Sequence, residues 1–168
     1  MLKSHVLLVA VALSFPALAD TTEEMINLAM RAAPASISGK ATIKDDDGTI
    51  LRKGSNGFTC APGGGSPMCC DSVWAKLEKA MNNKADFSTD RTGICYILLG
   101  DSKPYSNDSP DATDQTKGTW IKEGPHLMIV VSKEMLKGLP SDPASVVPYV
   151  MWKDTPYAHI MVPVGMRK

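Results

Sequence analysis

Gly124-Pro125-His126-Leu127-Met128-Ile129-Val130-Val131 and Tyr157-Ala158-His159-Ile160-Met161-Val162-Pro163-Val164 decide the reading of this chain. Each is a short apolar run rich in β-branched residues and bounded by turn residues, which predicts a strand rather than a helix. Side chains alternate along a strand, so His126, Met128 and Val130 share one face and Leu127, Ile129 and Val131 the other. Tyr157, His159, Met161 and Pro163 likewise oppose Ala158, Ile160, Val162 and Val164. Both runs therefore carry an imidazole with a thioether two residues on, their Cα atoms about 6.6 Å apart on one face. The third histidine, His5, lies in a segment expected to be removed.

Around these runs the pattern is α+β. Ile94 to Leu99 is a continuous apolar stretch that reads as a strand buried on both faces. Tyr149 to Trp152 reads as another, joined to Tyr157–Val164 by a turn at Lys153-Asp154-Thr155-Pro156. Thr21 with Glu24 forms a capping box for a helix over Asp20 to Ala33, and Pro34 stops it. Asp71 is an N-cap for a helix reaching about Asn83, with Val73, Leu77, Ala80 and Met81 on one face and Trp74 at its edge. Ala41–Lys44 and Thr49–Arg52 flank Asp45-Asp46-Asp47-Gly48 as a hairpin, and a further strand is expected over Gly57 to Cys60. The three aspartates read as a turn, because a calcium loop would need an acidic ligand at its twelfth position. Lys133 to Lys137 reads as a helical turn. Asp101 to Gly118 is rich in Ser, Asp, Asn and Pro, and predicts a long exposed loop. No linker divides the chain, and strands do not alternate with helices as in a doubly wound sheet. The expectation is one domain, residues 20–168, with a mainly antiparallel sheet and two helices packed on one side of it.

Export is written at the start. Lys3, the apolar run Val6 to Leu13 and Ala17-Leu18-Ala19 match the three regions of a secretory signal, with cleavage expected before Asp20. The four cysteines, all beyond that point, fit an oxidising compartment, so the expected location is periplasmic or secreted. Cys69 and Cys70 are adjacent and a bond between them would strain the backbone. Cys60 then pairs with one and Cys95 with the other. Cys60–Cys69 with Cys70–Cys95 is preferred, because Ala61 to Met68 is rich in glycine and proline and turns back tightly.

Charge sets several partners aside. The 168 residues carry 18 Lys and Arg against 18 Asp and Glu. Loss of Lys3 leaves the processed chain about one unit acidic. The charges are mixed, with no basic stripe for nucleic acid and no polybasic membrane patch. No later segment approaches the length of a membrane span. The chain has no Gly-x-Ser-x-Gly elbow, no Ser-x-x-Lys pair and no His-Glu-x-x-His motif, and Gly63-Gly64-Gly65 lacks the Lys-Ser/Thr of a phosphate loop. Catalysis is not expected.

His126, Met128, His159 and Met161 are the candidate metal ligands. Imidazole nitrogen with soft thioether sulfur suits copper, above all Cu(I), better than zinc or magnesium. The alternative makes these pairs core of a non-catalytic ligand-binding or structural envelope protein. In that case the 101–118 loop, or an aromatic pocket around Trp120, Trp152 and Tyr157, makes the contact. The His-x-Met pairs are similar to the copper site of periplasmic copper chaperones, a cupredoxin-like family; the resemblance covers His126, Met128, His159 and Met161, with a different spacing, and implies copper chemistry rather than that fold. Gly124–Ile129, Tyr149–Trp152 and Pro156–Val164 resemble a group of uncharacterised secreted bacterial proteins, which implies no function.

Intact-mass measurement of exported protein is expected to show loss of residues 1–19 and of four cysteine hydrogens. Alkylation of any cysteine without prior reduction would contradict this reading.

Overall fold

The computed structural model describes residues 17–145 and 147–167, with side chains from residue 21. The charged and apolar parts of the export signal lie outside the described residues. Helix α1 (Ala17–Met30) and the single turn α2 (Ala35–Ser38) precede strands β1 (Thr42–Lys44), β2 (Ile50–Arg52), β3 (Thr59–Ala61) and β4 (Met68–Cys70). Helix α3 (Ser72–Asn82) leads to β5 (Gly93–Ile97), β6 (Tyr105–Ser106), β7 (Trp120–Ile121), β8 (His126–Val130), β9 (Tyr149–Met151) and β10 (His159–Pro163). Eight strands form one sheet in the order β2-β1-β3-β4-β5-β8-β10-β9, while β6 and β7 pair separately. The fold is α+β, as the sequence predicts. Its sheet is mixed, because β1 pairs β3 in parallel while the other pairs are antiparallel.

The helices lie on opposite faces of the sheet, not on one. Adjacent residues of a strand point to opposite faces, and Cys69 and Cys70 show the consequence. Cys69 packs with Ala29, Ala32 and Ala33 of the α1 region, whereas Cys70 packs with Val73, Trp74 and Leu77 of α3. The Asp71 carboxylate caps α3, accepting from the backbone of Val73 and Trp74 at 2.9 Å each, and its second oxygen accepts from Ile94 at 3.0 Å. One side chain thus starts the helix and ties it to β5. A Cβ on Gly93 would lie 2.7 Å from Val130 and 2.8 Å from Val73, so glycine is what lets α3 settle against β5 and β8.

Both expected disulfides are present, and each joins residues directly opposed across neighbouring strands: Cys60–Cys69 on β3 and β4, Cys70–Cys95 on β4 and β5. They staple the two faces of the sheet separately. The 101–118 segment departs from its expectation as a wholly exposed loop. Ser106 and Asn107 are buried, and both backbone carbonyls are used by Trp152, which donates its indole N–H to Ser106 at 2.8 Å and its backbone N–H to Asn107 at 2.9 Å. Hydrogen bonding orders this polar stretch where apolar content could not. Among the described residues no helix is long and apolar enough to cross a membrane.

In the chain-entropy account, closing the 25-residue separation of Cys70–Cys95 stabilises by about 3.5 kcal/mol, and the shorter Cys60–Cys69 loop by about 2.6 kcal/mol. Denaturant unfolding of the two double serine variants is expected to show the larger loss for Cys70→Ser with Cys95→Ser. Equal or inverted losses would contradict that ordering.

Candidate functional site

The register of β8 against its neighbours collects the candidate ligands. Met161 of β10 lies directly opposite Met128 of β8, and His126 lies opposite Pro163. One step beyond the Ile160–Ile129 pair, His159 is level with Val130. His126, Met128, His159 and Met161 therefore share one face, the face on which α3 packs, since Cys95 and Ile97 of β5 oppose Met128 and His126. On the other flank β9 sets Met151 opposite His159 and Tyr149 opposite Met161.

All four line a single cavity of about 230 Å³. Its walls include five methionines, Met68, Met81, Met128, Met151 and Met161, of ten in the whole chain. From α3, Trp74, Glu78 and Met81 face it at positions i, i+4 and i+7, one helical stripe. Sequence reasoning did not single out Met68, Met81 or Met151 as candidate ligands. Met151 had a signal: alternation from Tyr149 puts it on the same face as the aromatic end of its strand. Of the aromatic trio expected around a pocket, Trp152 alone lines the cavity. Tyr157 packs under α3 with its hydroxyl donating to Ala85, and the Trp120 indole donates to Lys117.

Both imidazoles are buried, His126 at 1% and His159 at 0% exposure. His126 Nδ1 is 2.7 Å from the Gly124 carbonyl, and His159 Nδ1 is 3.0 Å from the Tyr157 carbonyl. A carbonyl only accepts, so Nδ1 carries the proton in both rings, and in the neutral His159 ring the lone pair sits on Nε2. His159 Nε2 is buried without a hydrogen-bond partner. An unpaired buried acceptor costs about 1–3 kcal/mol, and Trp74 Nε1 beside the ring is likewise buried without a partner. Burial holds the His159 imidazole down at about 4, the Tyr157 carbonyl opposing this and the charge of His126 adding to it. The ring is flanked edge-to-face by Trp74 at 5.2 Å and Trp152 at 4.8 Å.

Trp152 adopts a left-handed backbone conformation, φ 56°. A bulky residue there is an outlier held by its surroundings. Here the holding groups are the Ser106 and Asn107 carbonyls, together with Thr155, whose N–H and hydroxyl both donate to the Trp152 carbonyl.

The acidic groups stand at the half-buried margin of the cavity. Burial raises the Glu78 carboxyl, with Trp74 partly offsetting it. Burial also raises Asp101, opposed by the nearby His126 and by the Glu123 backbone N–H. Behind Tyr149 lies a separate buried carboxylate, Glu123. Arg167 donates to both of its oxygens at 3.0 and 2.9 Å, Tyr149 donates at 3.1 Å, and the Gly124 N–H adds a fourth bond at 3.1 Å. Burial alone would raise Glu123, but these partners outweigh it and hold it below the usual carboxylate range. This network lies outside the cavity lining and fixes Tyr149 beside it.

Among the described residues no three His, Cys, Asp or Glu side chains group as a metal centre; the donors gathered here are thioethers and imidazoles. Comparison with family models, curated proteins and solved structures found no match to this chain.

The unfolded chain protonates His159 near the usual 6.5, the folded protein only near 4. Stability is therefore full above about pH 6.5 and falls as pH drops through that window, by about 3 kcal/mol in all. An NMR titration is expected to show one imidazole still neutral at pH 5, and titration of both histidines near 6.5 would contradict it.

Proposed function

We propose that this chain is an exported Cu(I)-binding protein, a carrier or buffer, that holds the ion in the cavity lined by His126, Met128, His159 and Met161. The observation that carries the reading is the buried His159 Nε2, which has no partner and belongs to a cavity walled by five methionines. Thioether sulfur and neutral imidazole together select a soft monovalent ion and discriminate against hard cations. The deep wall offers no carboxylate to balance a second positive charge, which favours Cu(I) over Cu(II). Glu78 and Asp101 at the margin attract cations towards it. The donor chemistry is that of periplasmic copper chaperones. Two disulfides agree with an oxidising extracytoplasmic location, and the periplasm is the compartment proposed.

A second reading rests on one observation: Trp74, Trp152 and Tyr105 give the wall the aromatic character of a small-molecule site. The volume of about 230 Å³ lies below the roughly 300–1,000 Å³ usual for such sites, which favours the ion.

Replacement of both Met128 and Met161 by leucine conserves volume and costs less than about 1.5 kcal/mol per site. Anaerobic competition against a chromophoric Cu(I) chelator is expected to show affinity at least 100-fold weaker for this variant, with the thermal midpoint nearly unchanged. Parental affinity in the double leucine variant would contradict the site, and indifference of the parent to Cu(I) would contradict the function.

A further inference from the structure

We propose that the cavity is two-ended and takes two Cu(I) ions, one held by His159 with Met151 and Met161, the other by His126 with Met128 and Met68. The inference rests on the copper reading above and concerns how many ions the cavity takes, and in what order.

The strand register separates the imidazoles. His126 and the Val130 level of His159 are four residues apart along β8, which is about 13 Å at the Cα atoms. Two imidazoles on one metal need both nitrogens within about 2 Å of it. Each ring is tied back along its own strand, which works against closing that gap. His126 Nδ1 is anchored to Gly124, away from Met128, and His159 Nδ1 to Tyr157, away from Met161. The strands are antiparallel, so these anchors draw the rings in opposite directions.

Each end has its own sulfurs. Met151 is directly opposite His159, and Met161 is two residues beyond it on the same face. Met128 is two residues beyond His126. Met68, on β4, is level with Ile97, which in turn opposes His126. The Met128–Met161 pair lies midway, about 7 Å along the strand from either histidine level. An ion at one end therefore meets a thioether pair before it meets the second imidazole. Exchange among neutral sulfurs and nitrogens moves the ion without moving a proton or an electron.

The two ends also differ. Asp101 lines the cavity and its carboxylate accepts from the backbone N–H of Glu123, three residues before His126, which marks the His126 end as the receiving one. His159 is enclosed by Trp74 and Trp152 and is the storage end. Two monovalent ions about 10 Å apart repel enough at an effective dielectric of about 20 to weaken the second by roughly tenfold.

Native mass spectrometry with anaerobic Cu(I) titration and tryptophan fluorescence tests this. The parent is expected to bind two ions in two steps, the tighter one quenching tryptophan. Met151→Leu with Met161→Leu is expected to keep one ion and lose most of the quench. His126→Leu with Met68→Leu is expected to keep one ion and the quench; if it fails to fold, Met68→Leu alone is expected to weaken only the second step. A single ion abolished by either pair of substitutions would overturn the two-ended site and leave the copper reading standing. No ion in the parent would overturn the copper reading itself.

Discussion

The antiparallel register of β8 with β10 is the constraint on which the rest depends. It sets Met128 against Met161 and places both histidines on the α3 face of the sheet. A slip of one residue would turn the donors of one strand to the opposite face, bringing Ile160 and Val162, or Leu127 and Ile129, under α3 in their place and parting the two His-x-Met pairs. The register is held from both sides, by β5 against β8 and by β9 against β10. The covalent Cys70–Cys95 staple anchors the β5 side beside Met128. What looks like a loose set of soft donors is thus positioned by backbone pairing, the most rigid part of the fold.

That rigidity has a cost which the site makes visible. A neutral imidazole is buried with one nitrogen satisfied and the other unpaired, and a tryptophan beside it is held in a left-handed conformation. Both departures from an unstrained core meet at the same ring contact, Trp152 on His159. The surroundings over-determine them: three hydrogen-bonding residues fix Trp152, and a backbone carbonyl fixes each histidine. Departures of this kind cluster at functional sites because packing alone gives no reason to keep them.

Much of this was legible in the sequence, and the limits are physical. The β8 and β10 runs, the α3 helix with its Asp71 cap, and the cysteine pairing follow from period, cap chemistry and the strain of a vicinal bond. The shared face of the His-x-Met pairs follows from alternation once the strands are neighbours. The opposite placement of the two helices was not read, although the adjacent Cys69 and Cys70 imply it as soon as β4 is recognised as a strand. Three residues are too few to show a period, so β4 was hidden and Met68 with it. The parallel β1–β3 pair needs a long-range partner that no local pattern announces. Met81 reads as part of the apolar face of a helix with Trp74 at its edge, and Glu78 carries no signal; only the cavity under α3 makes the three a wall. The burial of Ser106 and Asn107 rests on bonds to Trp152, some 45 residues away, which composition cannot foresee.

In the proposed site, soft sulfur together with the Nε2 of a neutral imidazole binds Cu(I). X-ray absorption at the copper K-edge of the loaded protein tests it most directly. The account predicts a Cu(I) edge and a first shell dominated by sulfur at about 2.3 Å, the usual length of a metal–sulfur bond, with one imidazole per ion. A shell of nitrogen and oxygen alone, or a Cu(II) edge that persists under mild reduction, would contradict it.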